Sequence, residues 1–146
     1  MTFWDKVLKA LAALGGAVVG LMGGWTPLMT ALCVFMTMDY LTGLLVAWRG
    51  RSDKTENGGM SSKASFDGLL RKALILAVIL MAALLDHALD SEQAVFRTAC
   101  VCYYIANEGL SILENMALMG VKIPTSVKNA LELVGKKGDS NHSGTK

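Results

Sequence analysis

Apolar residues in this chain gather into four long stretches with polar residues collected between them. The first stretch, residues 1–25, begins amphipathic, with Phe3, Trp4, Val7, Leu8 and Leu11 set against Asp5, Lys6 and Lys9. From residue 10 to residue 25 it carries no charge. About 16 uncharged residues make a helix of about 24 Å, short for a hydrocarbon core of about 30 Å. Trp4 and Trp25 suit the two interfaces, with Lys6 and Lys9 reaching toward water. No Ala-x-Ala-like cleavage site follows, so the stretch is read as a first span and not as a removed leader. Residues 27–48 form a second stretch of spanning length, opened by Pro27, which suits the first turn of a helix. Residues 49–65 are polar and contain Asn57-Gly58-Gly59, a flexible loop. Residues 69–89 form the third stretch, uninterrupted and apolar from 73 to 85, with Ser62 or Ser65 expected to cap it.

The fourth stretch, residues 94–119, differs in kind. At about 100° per residue, Arg97, Tyr104, Asn107, Glu108, Ser111, Glu114 and Asn115 fall within an arc of about 120°. Ile105, Leu110, Ile112, Leu113, Met116 and Met119 occupy the rest of the wheel. This is a helix with one polar stripe on an apolar cylinder. After Pro124 a short amphipathic segment (Val127, Leu131, Leu133, Val134) leads into a tail from Gly135 to Lys146 without apolar periodicity, expected to be disordered. Residues 120–146 together read as a basic tail.

Two further patterns concern packing. Ala12, Gly16, Gly20 and Gly24 recur every fourth residue and would line one helix face, the spacing with which membrane helices approach closely. Asp39 and Glu108 sit near the middle of their helices, where a carboxylate is costly. At one depth they would repel, so they call for water, protonation or another chain between them. Asp86 and Arg97 lie near the outer ends of their helices and form a candidate ion pair. Asp39 with the stripe residues is the candidate pore or bundle interior.

Charge then orients the chain. Lys6 and Lys9 precede the first stretch, and Arg49, Arg51, Lys54, Lys63, Arg71 and Lys72 lie between the second and third. Lys122, Lys128, Lys136, Lys137 and Lys146 follow the fourth, while the connections near Thr26 and Ser91 hold no Lys or Arg. Four spans with both termini in the cytoplasm put every basic cluster inside. The chain is thus expected to be an all-α, multispanning transmembrane protein of about four helices, oligomeric. Of its 146 residues 53 % are hydrophobic and 18 % charged, too apolar for an average soluble domain. A formal net charge of +2 gives no reason to expect nucleic acid as a partner. Cys33, Cys100 and Cys102 lie in apolar segments without Cys-x-x-Cys spacing or a neighbouring His, so neither a metal nor another cofactor is expected. No His-Glu-x-x-His and no phosphate loop occurs, and Asp86-His87 is the only acid–His neighbour pair, which argues against an enzyme.

Three segments carry a resemblance: Asp39-Tyr40-Leu41-Thr42-Gly43 in the second stretch, Ser65-Phe66-Asp67-Gly68-Leu69-Leu70-Arg71-Lys72 with Asp86 in the third, and Asn107-Glu108-Gly109-Leu110-Ser111-Ile112-Leu113-Glu114-Asn115 followed by Gly120 and Pro124. In this order, across residues 30–134, the chain resembles the toxin-secretion/phage-lysis holin family. The resemblance implies a homo-oligomer in the lipid bilayer of the bacterial cytoplasmic membrane that opens lesions for a cell-wall hydrolase (an endolysin) or an exported toxin, with no catalytic residues. Without the family, the polar stripe fits equally a small oligomeric ion channel or a proton-coupled transporter using Asp39 and Glu108.

Overall fold

A computed structural model describes residues 1–140 of the chain. Five α-helices and no strands are present among the described residues: α1 (Phe3–Leu21), α2 (Pro27–Trp48), α3 (Ser62–Ala88), α4 (Val95–Leu118) and α5 (Thr125–Ser140). The chain is all-α.

The helix starts follow from side-chain caps. Thr2 and Asp5 form a reciprocal capping box on α1. The Thr26 hydroxyl accepts the Met29 amide ahead of α2, with Pro27 in its first turn. The Ser61 hydroxyl accepts the Ala64 amide ahead of α3. The cap is therefore Ser61, not Ser62 or Ser65, and α3 begins seven residues before the apolar run that marks it in the sequence. Polar Lys63, Ser65 and Asp67 are helical because the Ser61 cap starts the helix ahead of them and the long apolar helix continues from them, although only Lys63 and Ala64 in this turn are good helix formers.

α4 starts without a cap of its own, because Ala94 precedes it in a left-handed conformation with no side-chain bond. Asp86, on the last turn of α3, supplies the cap. Its carboxylate accepts the backbone N–H groups of Phe96 (2.9 Å) and Arg97 (2.7 Å). A buried anion thus meets the two free donors and the positive end of the helix dipole. This locks the tight corner between α3 and α4, where Asp90 and Ala94 both hold positive φ.

Packing follows a stripe of threes and fours on each of three helices. Met29, Leu32, Met36, Asp39 and Val46 are buried on α2; Ile75, Ile79, Ala82, Ala83 and Asp86 on α3; and Val101, Ile105, Glu108, Ile112 and Asn115 on α4. Such stripes interlock as in a bundle of antiparallel and parallel neighbours. The central apolar cluster joins Met22, Met29, Leu32, Met36, Ile75, Ile79, Val101 and Ile105. α1 has no buried residue and reaches the bundle only near its C-terminal end.

Among the described residues, α2 and α3 are long and apolar enough to cross a membrane, and only 22 % of the apolar window of each is buried. Their hydrophobic surface therefore points outward, as at Val34, Leu41, Leu45, Leu74, Met81 and Leu85. The core helix of a soluble protein would have the reverse distribution. α5 is a correction to the reading of the tail. The helix continues from Gly135 to Ser140, where the sequence lacks apolar periodicity. It extends a turn already anchored by Leu131 and Val134, so packing outweighs the weak local signal. The rest of the expected disordered tail, 141–146, lies outside the described residues.

Replacing Asp86 with Ala should strand two amide donors and lower stability by about 2 kcal/mol, with Asp86→Asn recovering part of the loss. Thermal unfolding in detergent checks this, and faster amide exchange at residues 95–98 should accompany the loss.

Candidate functional site

The polar residues on the three buried stripes meet in one layer. Asp39 lies nine residues before the end of α2, Lys72 ten residues after the start of α3, and Glu108 ten residues before the end of α4. At 1.5 Å per residue these positions are all about 14–15 Å from the helix ends that flank the 49–61 loop. There the Lys72 ammonium sits between the two carboxylates, 2.7 Å from Asp39 Oδ2 and 2.5 Å from Glu108 Oε2. The side chains of Lys72, Asp39 and Glu108 are 13 %, 12 % and 4 % exposed. The second Asp39 oxygen accepts the Asn115 amide at 3.3 Å, and Asn115 also donates to Thr42 Oγ1 at 3.0 Å. Thr42 donates in turn to the Asp39 carbonyl at 3.1 Å. Ser111 is a further neighbour of the Asp39 carboxylate. No buried side-chain N or O atom among the described residues lacks a partner.

This layer revises the expectation for Asp39 and Glu108. They do share a level, and the ammonium of Lys72, from the same chain, lies between them. In the sequence Lys72 stands out only as a basic residue at a helix start. Its signal is the stripe, since Lys72, Ile75, Ile79, Ala82 and Asp86 share one spacing and one face of α3. With two carboxylates and one ammonium, the fully ionised layer carries one excess negative charge. Two ion pairs and several hydrogen bonds offset part of the cost of burying three ions, but removing the shared cation leaves both anions facing each other.

The remaining stripe residues divide. Asn115 joins the layer, Ser111 and Tyr104 are half-buried beside the bundle, and Asn107 and Glu114 are exposed. The polar stripe is therefore two strips, one turned into the chain and one turned out. Asp86 and Arg97 are brought together, but not as an ion pair. Asp86 binds the Arg97 backbone amide, and the Arg97 guanidinium donates to the carbonyls of Met22 and Gly24 in the α1–α2 turn. Both Asp86 oxygens are occupied by the backbone amides of α4, and the carbonyls left free after the end of α1 take the guanidinium. A side chain at Gly23 would run into this guanidinium.

On the small-residue face of α1, Gly16 and Gly20 have no close neighbour among the described residues. A Cβ added at Gly16 or Gly20 would meet nothing within 4 Å. Gly24 is not on that face at all, because α1 ends at Leu21 and Gly24 lies in the turn with φ +83°.

A cleft of about 70 Å³ leads from the 49–61 loop toward the layer, and Ser52, Lys54, Thr55, Ser61 and Ser65 line it with Asp39 and Lys72. It has room for a few water molecules. Arg51 closes this end of the bundle by donating to the Leu118 carbonyl at the end of α4.

Known proteins share most of this chain. The family model described as "Bacteriophage holin family" matches residues 16–136. The chain is 37 % identical over 127 residues to an uncharacterised 14.9 kDa protein encoded in the nagH 3′ region of Clostridium perfringens, covering 87 % of this chain and 91 % of that one. It is 36 % identical over 118 residues to YqxH of Bacillus subtilis, covering 81 % and 78 %. It is 34 % identical over 108 residues to a probable holin of Bacillus phage phi105, covering 74 % of each chain. No solved structure matches.

Lys72→Met should be the most damaging change in the layer, with a loss of about 3–5 kcal/mol, because it leaves two buried carboxylates unpaired. Glu108→Gln leaves a one-to-one Asp39–Lys72 pair and should be far milder. Adding Glu108→Gln to Lys72→Met should restore part of the loss, so the double-mutant cycle is strongly non-additive. The measurement is unfolding in detergent, with accumulation in the membrane as a second readout.

Proposed function

Since the chain belongs to the bacteriophage holin family, we propose that it is a holin. In this reading it accumulates in the bacterial cytoplasmic membrane, assembles with copies of itself, and opens a lesion through which a cell-wall hydrolase passes. An exported toxin is the other cargo that the family resemblance implies. The family match carries this proposal. The outward-facing apolar surfaces of α2 and α3 support the membrane part of it.

The arrangement we infer has α1, α2, α3 and α4 crossing the bilayer and both termini in the cytoplasm. It is supported by the clustering of Lys and Arg at one end of each helix pair and by their lack in the α1–α2 and α3–α4 connections. The layer of Asp39, Lys72 and Glu108 then lies about 14–15 Å in from the cytoplasmic helix ends, in the middle of the hydrocarbon. Because these ions pair within one chain, a single copy can insert without presenting them to lipid. An unpaired ionised group at that depth costs about 2.5–3.5 kcal/mol on the insertion scale. The outward strip, Asn107 and Glu114, has no such internal partner and is the part of α4 we assign to the lumen or to contacts between copies. The glycine face of α1, open in the single chain, is assigned to a contact with another copy on the same grounds.

Two experiments test this. In a bacterium expressing a peptidoglycan hydrolase without an export signal, the protein should cause lysis after a delay, and neither protein alone should do so. Loss of membrane potential without release of the hydrolase would instead mark an ion channel. For topology, a protein freed of its native cysteines and carrying Glu92→Cys should react with an impermeant thiol reagent in intact cells, and one carrying Asp53→Cys should not. The reverse pattern would overturn the orientation.

A further inference from the structure

α5 folds back along α4. Leu131 rests on Gly109 so closely that a Cβ there would lie 2.7 Å from the Leu131 side chain, and Gly135 comes to the same distance class against Ala106, at 3.0 Å. Val134 reaches the edge of the central cluster. The apolar side of α5 is thus a set of knobs seated on a flat, small-residue strip of α4. The other side is charged, with Lys128, Glu132, Lys136 and Lys137 all exposed. Between the helices runs a groove lined by Tyr103, Asn107, Leu110, Glu132 and Lys136.

This docking conflicts with a spanning α4. Leu131 lies at the level of Gly109, next to the Glu108 layer, so α5 docked on an inserted α4 would hold charged side chains beside the hydrocarbon. Released, the same helix is a short amphipathic element with lysines on its polar side, suited to the membrane surface. The connection permits the change. Residues 119–124 include Gly120 in a left-handed turn at φ +86° and Pro124 just before α5. Release would bare Ala106 and the side of Gly109 that Leu131 covers, with Phe35 of α2 still against Gly109 and Asn107 next to Ala106. In a membrane, such a face associates with another helix by close backbone approach and an interhelical amide hydrogen bond.

We propose that this face of α4 is a self-association surface, that α5 covers it in the single chain, and that a second copy of the chain takes the place of α5 in the assembly. The proposal rests on the membrane topology proposed above for a spanning α4, and on the holin reading for its consequence, which is that covering the face holds the protein inactive. Asn107 acquires a role in it, as the polar group that meets its counterpart once Glu132 and Lys136 have left.

The test is a reversible lock. In a background with Cys33, Cys100 and Cys102 replaced by Ser, the pair Ala106→Cys and Gly135→Cys has the spacing of a disulfide after a shift of under about 1 Å. In vesicles of phosphatidylethanolamine and phosphatidylglycerol, the oxidised protein should remain a single chain under amine cross-linking and retain an entrapped fluorescent protein. Reduction of the same sample should give cross-linked oligomers and release, which also shows that the locked chain was folded. Ala106→Cys alone should give a disulfide-linked dimer on oxidation. Oligomers formed equally by the locked and reduced protein would overturn the proposal, as would failure of the single variant to dimerise while oligomers form. If the reduced protein forms oligomers but never releases the cargo, the holin reading fails while the surface stands.

Discussion

The Lys72 ammonium between Asp39 and Glu108 is the interaction on which the bundle depends. It joins α2, α3 and α4 at a single level, and it does so with charges whose burial is tolerable only while all three are together. Each helix contributes one ion from the stripe that also carries its core residues, so the register that pairs the ions is the register that packs Leu32, Ile79 and Val101. Sliding any one helix by a turn, about 5.4 Å, would separate a charge from its partners. Apolar packing alone discriminates poorly among such slips, and a buried polar layer does so sharply.

Two polar contacts fix the opposite end of the bundle. Asp86 holds the start of α4 on the end of α3, and Arg97, two residues into that helix, holds the α1–α2 turn. Together they tether α1, which among the described residues has no buried residue and only sparse contact with α3. The chain therefore combines a unit of α2, α3 and α4 with two further helices, α1, which touches it sparsely, and α5, which packs along α4.

Much of this is legible in the sequence, and the failures have particular causes. Long apolar runs bounded by Thr26-Pro27 and by the Asp90-Ser91 corner mark an all-helical chain, mid-helix position puts Asp39 and Glu108 at a shared level, and periodicity puts Asn115 on the same arc as Glu108. Lys72 escapes notice because the apolar run of α3 starts at Leu69, which makes Arg71 and Lys72 look like residues at a helix mouth. The Ser61 cap starts the helix seven residues earlier, about 10 Å, and that carries Lys72 into the interior. Pairing Asp86 with Arg97 by charge and depth finds the right neighbours and the wrong atoms, because backbone donors at a helix start do not show in a charge pattern. The extent of α5 depends on docking against α4, and a local reading of Gly135-Lys136-Lys137-Gly138 cannot register that.

The most direct test of whether this ion layer belongs to one chain is solid-state NMR of the protein in bilayers, with ¹⁵N-lysine and ¹³C-labelled aspartate and glutamate. Chains carrying both labels, diluted into unlabelled protein, should show the Lys72 Nζ in dipolar contact with the carboxyl carbons of both Asp39 and Glu108. An equal mixture of singly labelled chains should show neither contact. Contacts that appear in the mixture and vanish on dilution would mean that the layer forms between chains, and would contradict a bundle held together by its own Lys72.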